Sequence, residues 1–176
     1  MLEIEVKVRT DDLQAVRDKL AGLGAQVLQE RHREENTLYD FRTGELTRRK
    51  QALRLRKRGR RSVLTFKGAP HPSRRFKVRQ EFETEVRDNK EARRILKALG
   101  LVPIFDYVKH RTVLRIGRVR VCLDETAVGN FLEIEGERNR ITALLKSLGI
   151  PGRAMIKRDY VEMLIEAGRA KAGGPA

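Results

Sequence analysis

LEIEVKVR, residues 2–9, carries two messages on alternate positions. Leu2, Ile4, Val6 and Val8 make one set; Glu3, Glu5, Lys7 and Arg9 make the other. Successive side chains of a β-strand point to opposite faces, so this stretch predicts a strand with one apolar and one charged face. The same reading extends along the chain. Residues 37–41 predict a short second strand. Residues 53–57 alternate Leu53 and Leu55 with Arg54 and Arg56, and residues 62–67 set Leu64 and Phe66 against Val63, Thr65 and Lys67. Residues 79–86 place Arg79, Glu81, Glu83 and Glu85 together; residues 107–116 do the same for Lys109, Arg111 and Arg115. Residues 118–124 and 131–135 complete about eight strands, with Asp124, Glu133 and Glu135 on charged faces.

Three predicted helices, residues 11–23, 89–99 and 140–148, each run into a Leu-Gly pair, where glycine can take the left-handed C-cap conformation. A fourth covers residues 158–167, and residues 170–176 read as a frayed tail after a domain spanning 1–169. Glu-x-Glu strands at Glu3/Glu5, Glu83/Glu85 and Glu133/Glu135 each lead into one of the Leu-Gly helices, a loose internal repeat of strand–helix units. Residues 42–50 and 68–73 read as loops.

Two arrangements satisfy such strands. In an open antiparallel sheet the charged faces meet water. In a closed barrel clad by helices the charged faces can point inward, and the apolar faces pack against the helices outside. Segregation of charge argues for the second. Carboxylates gather at Glu3/Glu5, Glu81/Glu83, Asp124 and Glu133/Glu135, and cations at Arg54/Arg56, Lys67 and Lys109/Arg111. Like charges two residues apart on one face repel unless a counter-ion lies between them. Acidic pairs suit Mg²⁺ or Mn²⁺ and basic pairs suit phosphate oxygens. An eight-stranded barrel has room for one small ligand.

Composition narrows the partners. The 176 residues carry a net charge of +15, with 36% charged residues, which points to an anionic partner. One cysteine, Cys122, excludes an internal disulfide and a multi-cysteine zinc site. No apolar run approaches a membrane span and the N-terminus lacks a signal-peptide core, so a soluble cytoplasmic protein is expected.

Taken in order, the motifs resemble the CYTH superfamily of triphosphate tunnel metalloenzymes, which includes class IV adenylate cyclases, thiamine triphosphatases and inorganic triphosphatases. Glu3-Ile4-Glu5-Val6-Lys7 is similar to its Glu-x-Glu-x-Lys opening, and Leu38-Tyr39-Asp40 to its second-strand element. Leu53-Arg54-Leu55-Arg56, Thr65-Phe66-Lys67-Gly68, Arg79-Gln80-Glu81-Phe82-Glu83 and Lys109-His110-Arg111 follow in family order. Residues 121–124 and 129–135 resemble its closing metal-binding section. Residues 160–164 resemble its Ser-Tyr-x-x-Leu-Leu tail, with Asp159 where serine is usual.

The resemblance implies an α+β fold: a closed eight-stranded antiparallel β-barrel with helices packed on its outside. It implies a divalent-metal-dependent enzyme using one or two Mg²⁺ or Mn²⁺ ions. Glu3, Glu5, Glu81, Glu83, Asp124, Glu133 and Glu135 are the candidate metal ligands. Arg54, Arg56, Lys67, Lys109 and Arg111 are the candidate phosphate clamp, and Lys7, on the Glu3/Glu5 face, is the candidate catalytic residue. Glu85 is left out, although the internal repeat would align it with Glu135. His110 alternates away from Lys109 and is expected outside the lumen; Cys122 reads as a small buried residue; the RKRGRR run at 56–61 reads as a solvated turn.

The expected partner is a triphosphate-containing small molecule, either inorganic triphosphate, thiamine triphosphate or ATP, bound by a monomer or homodimer with no membrane. Hydrolysis is preferred because it needs only a positioned water. The alternative is a class IV adenylate cyclase making cyclic AMP and pyrophosphate, which needs a nucleoside pocket as well. A non-catalytic RNA-binding barrel is a further alternative; six Phe, three Tyr and no Trp give it few stacking platforms.

Overall fold

In the computed structural model, which describes residues 2–156 and 158–172 (168–172 as backbone only), the alternating segments become one antiparallel sheet that closes on itself. The strands are β1 (Leu2–Thr10), β2 (Gln26–Phe41), β3 (Ala52–Arg58), β4 (Arg61–Lys67), β5 (Lys77–Val86), β6 (Leu101–Ile116), β7 (Val119–Thr126) and β8 (Gly129–Glu135). Their order around the wall is β5-β4-β3-β2-β6-β7-β8-β1, and β1 returns to β5 through Leu2 to Glu5 against Gln80 to Lys77. A ninth strand, β9 (Met155–Ile156), pairs with Lys7 and Val8 of β1, beyond the point where β5 leaves it. This is the expected eight-stranded barrel with one extra strand.

The helices clad the wall from outside. Leu20 of α1 (Leu13–Gly22) and Ile141, Leu144 and Leu145 of α4 (Arg138–Ser147) pack on Val6, Val8, Val121, Leu132 and Ile134. Ala92 and Leu96 of α3 (Asn89–Ala98) pack on Tyr39 and Leu55, with Leu46 of α2 (Glu45–Arg48) beside them. Asp12 and Asp88 cap α1 and α3 by accepting bonds from Ala15 N at 2.9 Å and from Lys90 N at 2.8 Å. Gly100, with φ of 84°, makes the left-handed exit from α3 that its Leu-Gly ending predicts. The apolar core therefore lies between the barrel wall and the helices, and the alternate, charged side chains are left to the lumen.

Several boundaries differ from the sequence expectation. β2 begins at Gln26 instead of residue 37, because register shifts at Val27/Gln29, Gln29/His32 and Leu38/Tyr39 break the period-two pattern. β6 begins at Leu101 instead of residue 107; Pro103 stands beside the shift at Tyr39, a place where a missing N–H is tolerated. The expected loop at 42–50 contains α2, whose amides at Leu46 and Thr47 bond to Asp40 at 2.9 Å each. The last helix, α5 (Tyr160–Ala172), runs past residue 167 and into the expected tail, of which 173–176 lie outside the described residues. Among the described residues no helix is long and apolar enough to cross a membrane.

Candidate functional site

The lumen is a cavity of about 750 Å³. Every candidate residue named from the sequence lines it except Asp124, which is fully buried in the wall behind it. Strand order explains how distant motifs meet. β8, β1 and β5 are neighbours, so Glu133/Glu135, Glu3/Glu5 and Glu81/Glu83 form one acidic wall. β4, β3, β2 and β6 form the facing wall, with Lys67, Arg54/Arg56 and Lys109/Arg111. Glu85 is exposed and His110 half-buried, and neither lines the cavity. Cys122 does line it, its thiol pushed up by burial. Of the RKRGRR run at 56–61, only Gly59 and Arg60 form the turn between β3 and β4 and both are exposed, whereas Arg56 lines the cavity and Arg58 bonds Gln29.

The deepest part is a closed network. Asp124 accepts from Lys109 Nζ at 3.0 Å, Arg111 Nε at 2.6 Å and the Tyr160 hydroxyl at 2.7 Å. Arg111 also bonds Glu133, and Lys7 Nζ stands 3.4 Å from the other oxygen of that carboxylate. Burial opposes ionisation of Glu133, but Arg111, Lys7 and Lys109 outweigh it and hold its pKa well below the usual carboxylate range. The Lys7 ammonium sits over the Tyr160 ring, 3.5 Å from its centroid.

Nearer the acidic wall, Lys67 Nζ bridges Glu3 at 3.0 Å and Glu81 at 2.7 Å. Burial, then the hydrogen bond with Glu81, raises the Glu3 pKa; burial, then repulsion from Glu3, raises that of Glu135. A cation placed among these buried carboxylates would favour their charged forms. Over β4, Arg56 reaches Glu83 at 3.2 Å, and Arg54 Nη2 lies 3.4 Å from Thr65 Oγ1 of the neighbouring strand. Arg54 Nε is buried with no acceptor among the described residues, which leaves a donor for an incoming oxygen.

Sequence reasoning missed four of the groups found here. Glu34 has 2% of its side chain exposed and lies 3.6 Å from Arg56 and 3.8 Å from Lys109. It sits in the part of β2 that was not read as strand. Lys77 pairs with Glu5 at 3.2 Å and also with Asp159, and Arg79 meets Asp159 at 3.0 Å. Carrying the alternation of β5 two residues upstream would have found Lys77. Tyr160 and Asp159 were seen only as parts of a tail motif.

The CYTH domain profile matches residues 1–150. The chain belongs to the CYTH domain family. A protein of Methanocaldococcus jannaschii, provisionally named adenylate cyclase, is 28% identical to this CYTH protein over 93% of the chain and 98% of its own length. The solved structure of a Vibrio parahaemolyticus protein with the same provisional name superposes with a TM-score of 0.83 at 22% identity, covering 94% of this chain and 98% of that one. A Hippeastrum protein, provisionally named adenylyl cyclase and described as having dominant triphosphatase activity, superposes at 0.67 with 21% identity, over 94% and 96% of the two chains. Both superpositions show the shared fold.

CYTH membership implies use of a divalent metal, and the donor chemistry of the acidic wall fits one. Glu3, Glu5, Glu81 and Glu135 offer hard carboxylate oxygens along one wall of the cavity, and at Glu3 and Glu135 burial and a neighbouring carboxylate oppose ionisation. Among the described residues no three potential ligands form a ready cage. Mg²⁺ does not require one, since it usually takes one or two carboxylates and completes its shell with water and phosphate oxygens.

Proposed function

We propose that this CYTH domain is a divalent-metal-dependent triphosphatase acting on inorganic triphosphate, thiamine triphosphate or a nucleoside triphosphate. The carrying observation is the division of one cavity into an acidic wall and a basic wall, the two complements that a metal–triphosphate complex needs. Arg54, Arg56, Lys67, Lys109 and Arg111 would neutralise the phosphate oxygens, the arginines as two-pronged donors and the lysines as point charges. Glu3, Glu5, Glu81 and Glu135 would hold Mg²⁺ or Mn²⁺, with Glu83 at the more open edge. When bound, the ion supplies charge neutralisation and a more acidic water.

Lys7 is the candidate catalytic group, held beside Glu133 and over Tyr160 where it can orient a water or a phosphate oxygen. In this reading Asp124 and Glu133 position Lys7, Lys109 and Arg111, because their oxygens are already engaged by those cations. The name of the Methanocaldococcus relative favours one second reading, cyclisation of ATP to cyclic AMP and pyrophosphate in the same tunnel.

The test is to supply inorganic triphosphate, thiamine triphosphate and ATP, each with Mg²⁺ or Mn²⁺, and to identify the products. Orthophosphate release supports hydrolysis; cyclic AMP with pyrophosphate would establish the cyclase reading instead. Glu3→Gln should abolish the metal-dependent turnover and the rise in melting temperature that metal gives the parent protein. No turnover of any triphosphate would sink both readings.

A further inference from the structure

Asp159 departs from the serine of the family's tail motif, and its carboxylate has an unusual address. It is the residue before the first turn of α5: its carbonyl accepts from Met163 N at 3.1 Å, and its own N–H donates to Glu162 at 2.9 Å, one half of a capping box. An aspartate at that position normally turns its side chain onto the free amides of its own helix. Here the side chain enters the tunnel, one oxygen on Lys77 Nζ and the other on Arg79 Nη2 at 3.0 Å.

The pair it engages faces the lumen from β5 and lies outside the candidate phosphate clamp on β3, β4 and β6. Lys77 and Arg79 are each 12% exposed at the side chain, against 29% for Asp159, which places the carboxylate on the outer side. Arg79 Nε is buried with no acceptor among the described residues. A carboxylate has two oxygens and uses them on Lys77 and one arginine nitrogen. A phosphate group has a third, which matches the spare Nε–H. Behind the carboxylate, α5 packs its own Tyr160 and Met163 against Phe131 of β8, a small cluster separate from the two larger cores.

We propose that Lys77 and Arg79 form a further anion subsite of the tunnel, for a phosphate group of the substrate, and that Asp159 occupies it as a built-in competitor. The inference rests on the triphosphate reading of the tunnel. The Asp159 side chain has two resting places, the tunnel cations and the N-terminus of its own helix, and an arriving phosphate moves it from the first to the second. α5 stays seated through Tyr160 and Met163 on Phe131 while it does so.

The experiment is calorimetric titration of inorganic triphosphate into the full chain in metal-free buffer, for the parent, Asp159→Asn and Asp159→Ser. Both replacements keep a capping side chain and remove the charge. Binding should tighten roughly tenfold in both, the opposite of what damage to the fold would do. Adding Lys77→Ala to Asp159→Asn should erase that gain. If the parent binds triphosphate and the two variants bind it equally or more weakly, or if the gain survives loss of Lys77, the competitor is disproved and the triphosphate reading stands. If none of the proteins binds triphosphate, the reading of the tunnel fails and the subsite fails with it.

Discussion

A carboxylate buried among four cations shows how single residues hold this site together. Glu34 would be expensive to bury alone, yet Arg111, Lys109, Arg56 and Arg54 outweigh that cost and lower its pKa from 4.5 to about 2. Because the folded value is depressed, the stabilisation is present above the ordinary carboxylate range and is lost as pH falls from about 4.5 to about 2. It is worth on the order of 3 kcal/mol. Glu34→Gln should therefore be less stable at neutral pH and show a flatter loss of stability through that acid window, measured by urea unfolding at a series of pH values. An unchanged slope would show that Glu34 is not the group responsible. Nothing in the sequence singled out this residue. Its strand was hidden by bulges, and QERHREEN, where Glu34 is one of three glutamates among polar and charged residues, has the composition of a solvated stretch. Lys7 and Lys67, by contrast, lie on the regular strands β1 and β4, whose alternation aims them unambiguously.

At the scale of elements, regular period-two strands and capped helices were legible, and elements whose irregularity is imposed by their partners were not. β1, β3 and β4 are regular, so charged and apolar positions could be sorted by parity alone. The early half of each of β2 and β6 pairs with the late half of the other through shifted registers, and that pairing is a property of two segments far apart in sequence. The four-residue α2 exists because Asp40 collects amides from Phe41, Leu46 and Thr47, a tertiary contact without a helical repeat of its own. The helices are fixed by the apolar faces they cover. Leu96 is 4% exposed between α3 and the wall, so Leu96→Ala should cost about 2–5 kcal/mol in denaturant unfolding. Affinity for triphosphate should hardly change at temperatures where the variant remains folded, because α3 contributes no side chain to the lumen. A matching loss of affinity would mean that the wall relays packing to the site.

Across the whole molecule, charge has an inside and an outside. Acids and bases nearly balance along the tunnel, so most of the +15 excess belongs to the exterior, including Arg48, Arg49, Arg60, Arg61, Arg74 and Arg75. A positive exterior draws a polyanion towards the mouth, and salt screens it over a Debye length of about 10 Å at 0.1 M. The apparent second-order rate constant for triphosphate should fall several-fold as ionic strength rises, whereas thermal stability, which rests on buried contacts, should move little. A rate indifferent to salt would remove the steering role. The family motifs on β1, β3, β4, β5, β6 and β8 made the two-walled lumen readable, because their charged residues fall on strand faces that the fold turns inward. The reversal of the barrel, with apolar packing outside its wall and charge within, also has a hereditary consequence. Along a regular strand such as β1, neighbouring codons answer to different selective demands: one set guards how much protein survives, the next guards what it can turn over. A lineage can thus redraw the lining of the tunnel with the apolar packing of the scaffold untouched, so long as each exchange leaves no buried charge unpaired.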